Sequence, residues 1–200
     1  MNGVQVTRYG GGVVNRLDDV VSGALEVLDS HGLEFCSMRR VAGHLGIQPS
    51  ALYHHVPDKQ TLLALMADEI VAGVVVPSAG SIEQRAETVC RSLRSAMLAI
   101  RDGADVVATA SAFRLGASRV EAELAQVLGD RIGARTLLLF VFGHAQATQM
   151  HQLASSVGVI EPDSDLDDSF DRGLHIVLAG LAAGREFVRE RNKSEILVQV

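Results

Sequence analysis

The chain has 200 residues, of which 48% are hydrophobic and 21% charged, and its formal net charge is −6. This composition excludes an intrinsically disordered chain, and the length predicts one or two domains whose core needs no disulfide or metal. No apolar run approaches the roughly 20 residues of a membrane span, and the first twelve residues lack the apolar segment of a signal peptide. Cys36 and Cys90 have no metal-ligand spacing, which predicts reduced core thiols. We therefore expect a cytoplasmic protein, with an apolar content that favours contact between subunits.

Positive charge is concentrated near the N-terminus. Residues 1–60 hold five Lys and Arg against six Asp and Glu, whereas residues 61–200 hold 13 against 18. The stretch 37–60 alone carries three cations, one anion and three of the seven histidines. A nucleic-acid-binding protein needs a basic region on its surface. This small basic region on an acidic chain is the one charge asymmetry that suggests such a partner.

Helix-capping and helix-breaking residues divide residues 15–77 into four predicted helices. The first has apolar residues at helical spacing between Leu17 and Leu28, and the fourth is rich in leucine and runs to about Val76. The residues predicted to open these helices are Asn15, Ser37, Pro49 and Asp58. The residues predicted to end them are Gly32, Gly46, Pro57 and Pro77.

The second half of the chain is predicted to be helical as well. The turn-rich stretch 77–80 marks a boundary between a domain of residues 1–76 and a domain of residues 77–200. Predicted helices cover 104–115, 131–155 and 167–190, the second of them apolar nearly all round its circumference from 137 to 142. Capping boxes, Ser81 with Gln84 and Ser118 with Glu121, predict two further helix starts. Because the sequence shows no alternation typical of strands, the predicted fold class is all-α.

Two short helices, 37–45 and 49–55, with a tight turn at Gly46 form a helix-turn-helix by spacing. The second helix of such a unit fits the major groove of DNA and presents its N-terminal side chains to base edges. Leu52 and Val56 are predicted to pack inward. The outward residues are Ser50, Ala51, Tyr53, His54 and His55, flanked by the cations Arg39, Arg40 and Lys59. Spacing alone leaves an ordinary helical hairpin with a solvated face as an equal alternative.

The sequence of residues 38–63, MRRVAGHLGIQPSALYHHVPDKQTLL, resembles the DNA-binding domain of the tetracycline-repressor (TetR) family of transcriptional regulators. The resemblance covers about residues 13–75, and a weaker one continues in FDRGLHIVLAGLAA at 170–183. It implies an all-α homodimer with an N-terminal three-helix DNA-binding domain and a C-terminal helical bundle that binds a small effector. It also implies a regulator, either a repressor or an activator, of which a repressor released from a palindromic operator is the favoured form.

The resemblance also implies roles for single residues. Arg39 would reach a base, most readily guanine, because arginine pairs with its O6 and N7. Phosphate contacts would come from Ser37, Tyr53, His55 and Lys59. Base edges would be faced by Ser50, Ala51 and His54. Ala51 departs from this use because it cannot donate a hydrogen bond, so fewer bases are read directly. The alternatives are a core position for Tyr53, a solvated position for His54 and His55, and a surface charge for Arg40.

The C-terminal helices contain residues suited to a ligand pocket between helices. The candidates are Arg94, Met97, Phe113, Phe140, His144, Gln149 and His151, with Phe142, Gln146 and Met150 beside them. Arg94 could pair an acidic group of the ligand or be a surface charge. His144 and His151 are seven residues apart, about 10 Å along a helix, which is too far for one metal ion. We expect neither a metal nor a cofactor.

Glycines in the predicted last helix suggest a subunit interface. Gly173, Gly180 and Gly184 lie there beside several alanines, and Gly143 occupies the long helix before it. A glycine inside a helix costs about 1 kcal/mol relative to alanine, so close helix packing is the expected reason. The competing hypothesis is a small helical enzyme or carrier with a histidine-containing pocket. No nucleophile triad, phosphate loop or zinc-helix motif supports an enzyme.

Overall fold

The computed structural model describes the backbone of residues 16–198 and the side chains of residues 16–185. Within this range the secondary structure is entirely helical, which confirms the predicted fold class. The N-terminal helices are α1 (Leu17–His31), a 3-10 helix (Leu33–Phe35), α2 (Met38–His44), α3 (Pro49–His55) and α4 (Lys59–Val71). The C-terminal helices are α5 (Ile82–Leu98), α6 (Gly103–Ala112), α7 (Ser118–Leu128), α8 (Arg131–Ser156) and α9 (Leu166–Val198).

Helix α1 buries the predicted apolar face, with Val20, Ala24 and Leu28 fully inaccessible. Gly32 ends the helix as expected, because its φ of 83° lies in the left-handed region that glycine adopts without strain. The start of the helix differs from the prediction. Its N-cap position is occupied by Arg16, which makes no side-chain cap bond, and Asn15 lies outside the described residues.

The predicted caps of α2, α3 and α4 are all confirmed. Ser37 Oγ accepts a hydrogen bond from the Arg40 amide at 3.3 Å, Pro49 opens α3, and an Asp58 carboxylate oxygen accepts from the Thr61 amide at 2.7 Å. The hydrogen bonds that Asp58 accepts from Thr61 lower the pKa of its carboxyl group. Each cap satisfies an amide that the first helical turn leaves without a partner.

Helix α4 ends at Val71, five residues before the predicted end near Val76. The Val74 amide donates to Val71 O at 3.1 Å, and the Val75 amide donates to Ser92 Oγ of α5 at 3.0 Å. Val74 is buried in the core. The valines after α4 therefore satisfy their backbone groups through a turn and a tertiary contact, and the helix does not continue.

The two predicted capping boxes have different outcomes. Ser81 and Gln84 form the complete box at the start of α5. The box at Ser118 is wrong, because Ser118 is already the first helical residue and Ala117 holds the cap position with φ of 57°. The Ala117 amide donates to the Asp68 carboxylate of α4 at 2.6 Å, and a Cβ on Gly116 would lie 2.6 Å from Ala64 O. Close packing on α4 thus decides where α7 begins.

Helix packing joins the two halves of the chain. Helix α4 packs extensively against α6, and α8 packs against α5, α6 and α7. Helix α9 is fixed to α5 by three ion pairs, which are Arg91 with Asp171, Arg94 with Asp167 and Arg185 with Glu83. Helix α6 ends at Ala112, three residues before the predicted end. Across the described residues, no helix combines the length and apolar character of a membrane span.

Both cysteines are buried and free, as predicted. Burial, and secondarily the charge of Glu87, raises the pKa of Cys90 to about 12. Burial also raises the pKa of Cys36, although the ammonium of Lys59 opposes that shift. A thiol with a raised pKa is a weak nucleophile, so both cysteines act as small core side chains.

Candidate functional site: a helix-turn-helix face and an aromatic cluster

The chain reverses direction between α2 and α3 at Gly46, whose φ is 69°. The Ile47 amide donates to Ala42 O at 3.0 Å and closes the turn. Val41, Leu52 and Val56 are fully buried and hold the two helices together. Because the inner faces are apolar, the polar residues of α2 and α3 are left on the outside. The predicted helix-turn-helix geometry is therefore present.

The structure places all nine predicted DNA-contacting residues on or beside this outer face, which we call the α2–α3 face. The exposed members are Ser37, Arg39, Arg40, Ser50, Tyr53 and His54, and the half-buried members are Ala51, His55 and Lys59. Tyr53 is 51% exposed, so its alternative assignment to the core is wrong. Such a face can meet a nucleic acid without unfolding any element.

The cations of the α2–α3 face have distinct surroundings. Arg40 stacks on Phe35, with its guanidinium carbon 5.5 Å from the ring centroid. Lys59 is the first residue of α4, directly after the Asp58 cap, and is half-buried. Among the described residues, no carboxylate lies within ion-pair distance of Arg39, Arg40 or Lys59. Their charge is consequently available to an anionic partner.

A second group of functional candidates lies between α5, α8 and α9. The rings of Phe140 and Phe170 are stacked with centroids 5.6 Å apart, and His144 lies 5.1 Å from Phe170, edge to face. The Arg94 guanidinium carbon is 4.7 Å from the Phe170 centroid, and Arg94 Nη2 donates to Asp167 Oδ1 at 2.8 Å. We call these five residues the Arg94 cluster. Three of them were predicted from the sequence, and Asp167 and Phe170 were not.

The remaining candidates for the ligand pocket lie outside the Arg94 cluster. Met97 is fully buried in the core. Phe113 is the C-cap residue of α6 and is 61% exposed. His151 is half-buried, and its Nε2 atom is inaccessible and without a hydrogen-bond partner among the described residues. Of the supporting residues, Phe142 is buried, Met150 is exposed, and Gln146 donates to Asp105 at 2.7 Å.

Gln149 holds the turn between α5 and α6. Its Nε2 donates to Ile100 O at 2.7 Å and to Met97 O at 3.2 Å, and its Oε1 accepts from the Ala104 amide at 2.9 Å. All donor and acceptor types of this side chain are therefore used by the protein. The same turn contacts the 3-10 helix that follows α1, because Asp102 Oδ2 accepts from the Leu33 amide at 2.7 Å. Gln149 thus supports the junction between the two halves of the chain.

We expect Gln149→Ala to lower the free energy of unfolding by about 2–4 kcal/mol, because two carbonyls and one amide each lose a hydrogen bond. Urea denaturation measures this loss. Gln152→Ala is the matched control, because Gln152 is exposed on the same helix. A loss no larger than that of the control would show that the Gln149 side chain is free for another role.

Sequence patterns could not identify Asp167 and Phe170. Four aspartates lie between 165 and 171, and nothing in their spacing selects the partner of Arg94. Two of them, Asp167 and Asp168, occupy the first turn of α9, where the N-terminal end of the helix favours carboxylates. Phe170 was visible only as an apolar position of the last helix.

Comparisons with known proteins agree with this geometry. The family described as bacterial regulatory proteins, tetR family, matches residues 20–66. The chain is 31% identical over 202 residues to the class A tetracycline repressor from transposon 1721 of Escherichia coli, covering 85% of this chain and 92% of that protein. A shorter alignment with the class E repressor of Escherichia coli, at 42% identity, covers 44% of each chain.

Solved structures show the same architecture. BioQ of Mycobacterium smegmatis is 30% identical with a TM-score of 0.79, covering 84% of this chain and 98% of that one. A structure of BioQ with its double-stranded DNA operator gives a TM-score of 0.72 at 29% identity over the same shares of the two chains. ActR of Streptomyces coelicolor in complex with (S)-DNPA gives 0.68 at 28% identity, covering 84% and 97%. The chain belongs to the tetracycline repressor (TetR) family of transcriptional regulators, and its helix-turn-helix is a DNA-binding element.

Proposed function

We propose that this protein is a ligand-responsive repressor that binds a palindromic operator as a homodimer and is released by a small-molecule effector. Residues 1–76 form the DNA-binding domain with its linking helix α4, and residues 77–200 form the effector-binding and dimerisation domain. The observation that carries the proposal is the α2–α3 face, where cations without carboxylate partners flank an exposed helix. The class A relative is itself a repressor. A regulator of this kind meets its DNA in the cytoplasm.

In the proposed complex, α3 enters the major groove and α2 lies across the backbone. Arg39 reads a base, and Ser50, Ala51 and His54 face base edges. Phosphates are held by Ser37, Tyr53, His55 and Lys59. Arg40 is stacked on Phe35, which holds its guanidinium at the rim of the face. A carrier or an enzyme would have no use for this arrangement.

The proposed dimer interface uses exposed apolar residues of α8 and α9. On α8 they form one column along the helix, comprising Ile132, Leu139, Gly143, Ala147 and Met150. On α9 the exposed members are Ile176, Ala179, Gly180 and Ala183. Leu139 and Ile176 are 62% and 69% exposed in the single chain. Large exposed side chains at helical spacing on two neighbouring helices are typical of a subunit interface, and two copies would form a four-helix contact.

The proposed effector acts through the C-terminal domain. The Arg94 cluster joins α5, α8 and α9, and the α5–α6 turn contacts the 3-10 helix after α1 through Asp102. Helix α4 packs on α6. A ligand that repacks the C-terminal helices can therefore alter the position of the DNA-binding domain. Linkage requires that saturating operator weakens effector binding by the same factor.

We expect Arg39→Ala and Lys59→Ala to weaken DNA binding in different ways. Arg39→Ala should cost about 1–3 kcal/mol and relax the preference at one base pair per half-site. Lys59→Ala should weaken all sequences about equally, because a phosphate contact carries no sequence information. The measurement is fluorescence anisotropy with DNA from beside the gene and a set of its single-base variants.

Arg114→Ala is the control for this experiment, because Arg114 is an exposed cation of the C-terminal domain. It should leave operator affinity and sequence preference unchanged. If Arg39→Ala and Lys59→Ala gave identical sequence profiles, the assignment of base and phosphate contacts would be wrong. If neither differed from Arg114→Ala, the α2–α3 face would not be the DNA-binding surface.

A further inference from the structure

Arg94 is the most deeply buried cation among the ion pairs of α5 and α9. Its side chain is only 12% exposed, and its Nε is inaccessible and has no hydrogen-bond partner among the described residues. The ion pair with Asp167 uses Nη2 alone. A guanidinium presents its donors as a planar fork that fits both oxygens of one carboxylate. The present pairing therefore leaves a buried donor of that fork unused.

Asp167 is a weakly held partner for this arginine. Its side chain is 85% exposed and lies in the first turn of α9. When it leaves Arg94, its carboxylate remains in water and stays near the favourable N-terminal end of the helix. Arg94 has no such alternative, because its guanidinium lies over Phe170 and is largely removed from solvent. A competing anion can thus replace Asp167 at little cost to the aspartate.

The surroundings of Arg94 are aromatic and nearly free of charge. Phe140 and Phe170 are stacked, and His144 packs against both rings. The pKa of His144 is lowered, first by burial and then by the Arg94 guanidinium, so the imidazole is neutral at pH 7. Apart from the Asp167 carboxylate, the cluster therefore combines one cation, one hydrogen-bonding ring, the half-buried ring of Phe140 and the buried ring of Phe170.

Gly173 makes this arrangement possible. A Cβ at that position would lie 2.7 Å from two ring carbons of Phe140, so any larger residue would displace the ring. The glycine in α9 thus has a reason within the single subunit, and it maintains the aromatic wall beside Arg94. This observation is independent of the ion pair, and it concerns the same site.

We propose that the effector is a planar aromatic acid, whose carboxylate replaces Asp167 on Arg94 and whose ring packs against the half-buried ring of Phe140. The inference rests on the proposed effector response and specifies its chemistry. Release of Asp167 removes one of the ion pairs between α5 and the start of α9. Because α9 also belongs to the proposed dimer interface, the same event alters the contact that sets the distance between the two DNA-binding domains.

The test uses the full-length protein and three probes, benzoate, 1-naphthoate and 2-anthroate, each compared with its uncharged amide by titration calorimetry. The acids should bind the natural sequence more tightly than the amides. Asp167→Asn should tighten binding of the best acid up to about fivefold, the worth of a largely exposed ion pair. Arg94→Met should weaken it by at least about 30-fold, because a buried charge contact is lost.

Two further variants keep the test decisive. Asp168→Asn alters a neighbouring exposed carboxylate of the same turn and should leave acid binding unchanged. Arg94→Lys retains the charge without the planar fork, so it should bind the acids with intermediate affinity, even if Arg94→Met proves unstable in a thermal melt. Operator affinity without any probe should stay unchanged in Asp168→Asn, whereas it should fall in Asp167→Asn, which removes the ion pair that the effector is proposed to release.

Several results would overturn the proposal. The first is that the acids bind no more tightly than their amides. The second is that Arg94→Met or Arg94→Lys binds the acids as tightly as the natural sequence. The third is that Asp167→Asn binds them with the same affinity as Asp168→Asn. Acids that bind through Arg94 but leave operator affinity unchanged would overturn the effector role. If the natural sequence still bound operator, each of these results would leave the proposed DNA-binding function unaffected. If the natural sequence did not bind operator, the DNA-binding function itself would be overturned.

Discussion

Operator affinity should fall by on the order of 10³–10⁵ when salt is raised from 50 to 200 mM, if the dimer neutralises roughly 6–10 phosphates. The physical reason is release of the counterions that cover DNA. The α2–α3 face supplies Arg39, Arg40 and Lys59 from each subunit, and none has a carboxylate partner among the described residues. The rest of the chain carries a negative net charge, so we expect this face to supply most of the attraction. Anisotropy titrations at five salt concentrations measure the slope.

The same titration on Lys59→Ala provides the internal check. Each lost phosphate contact should reduce the slope of log affinity against log salt by about one, and a homodimer loses two. Arg114→Ala should leave the slope as it is. A slope near zero for the natural sequence would contradict a DNA interface built on phosphate contacts.

Gly180→Leu should convert the protein into monomers or weak dimers. A Cβ at position 180 meets nothing within 4 Å in the single chain, so a leucine fits the subunit but collides with a partner packed on α9. Overpacking costs about 1–3 kcal/mol, and an isologous interface contains the substitution twice, so dimerisation should weaken by about 2–6 kcal/mol. Operator affinity should also fall, because the half-sites need a fixed spacing of about 34–36 Å. Light scattering gives the oligomeric state.

Gln126→Leu is the control, because Gln126 is exposed on α7 and lies outside the two helices of the proposed interface. It should remain dimeric and bind operator normally. The thermal stability of the Gly180→Leu monomer should not fall below that of an isolated natural subunit, since leucine favours a helix more than glycine does. A Gly180→Leu protein that remains an operator-competent dimer would place the interface elsewhere.

The three glycines of α9 have different structural reasons, which the sequence alone does not separate. Gly173, Gly180 and Gly184 were grouped because each is costly inside a helix. The structure separates them, since Gly173 makes room for Phe140 within the subunit while Gly180 and Gly184 face open space. Helical periodicity identifies small residues on a face, but the neighbour that requires them depends on the packing of α8 against α9.

Local chemistry was sufficient for the helix-turn-helix. Each helix end in this unit depends on residues no more than four positions away, so the sequence determines it directly. The residues concerned are Ser37, Gly46, Pro49 and Asp58. The burial of Leu52 and the exposure of Tyr53 follow from the helical period of 3.6 residues. The candidate DNA contacts were therefore predictable by position, because they occupy the face that the apolar residues leave outside.

Tertiary structure decided what depends on distant partners. The end of α4 was set by a hydrogen bond to Ser92, and the start of α7 by a contact between Gly116 and Ala64. The Arg94 cluster joins residues 73 positions apart in the case of Arg94 and Asp167. No local pattern selects one aspartate among several for that arginine. The sequence by itself thus determined the helices and the DNA-binding face. Helix packing decided which side chains meet in the C-terminal domain, because those contacts join residues whose separation along the chain follows no helical period.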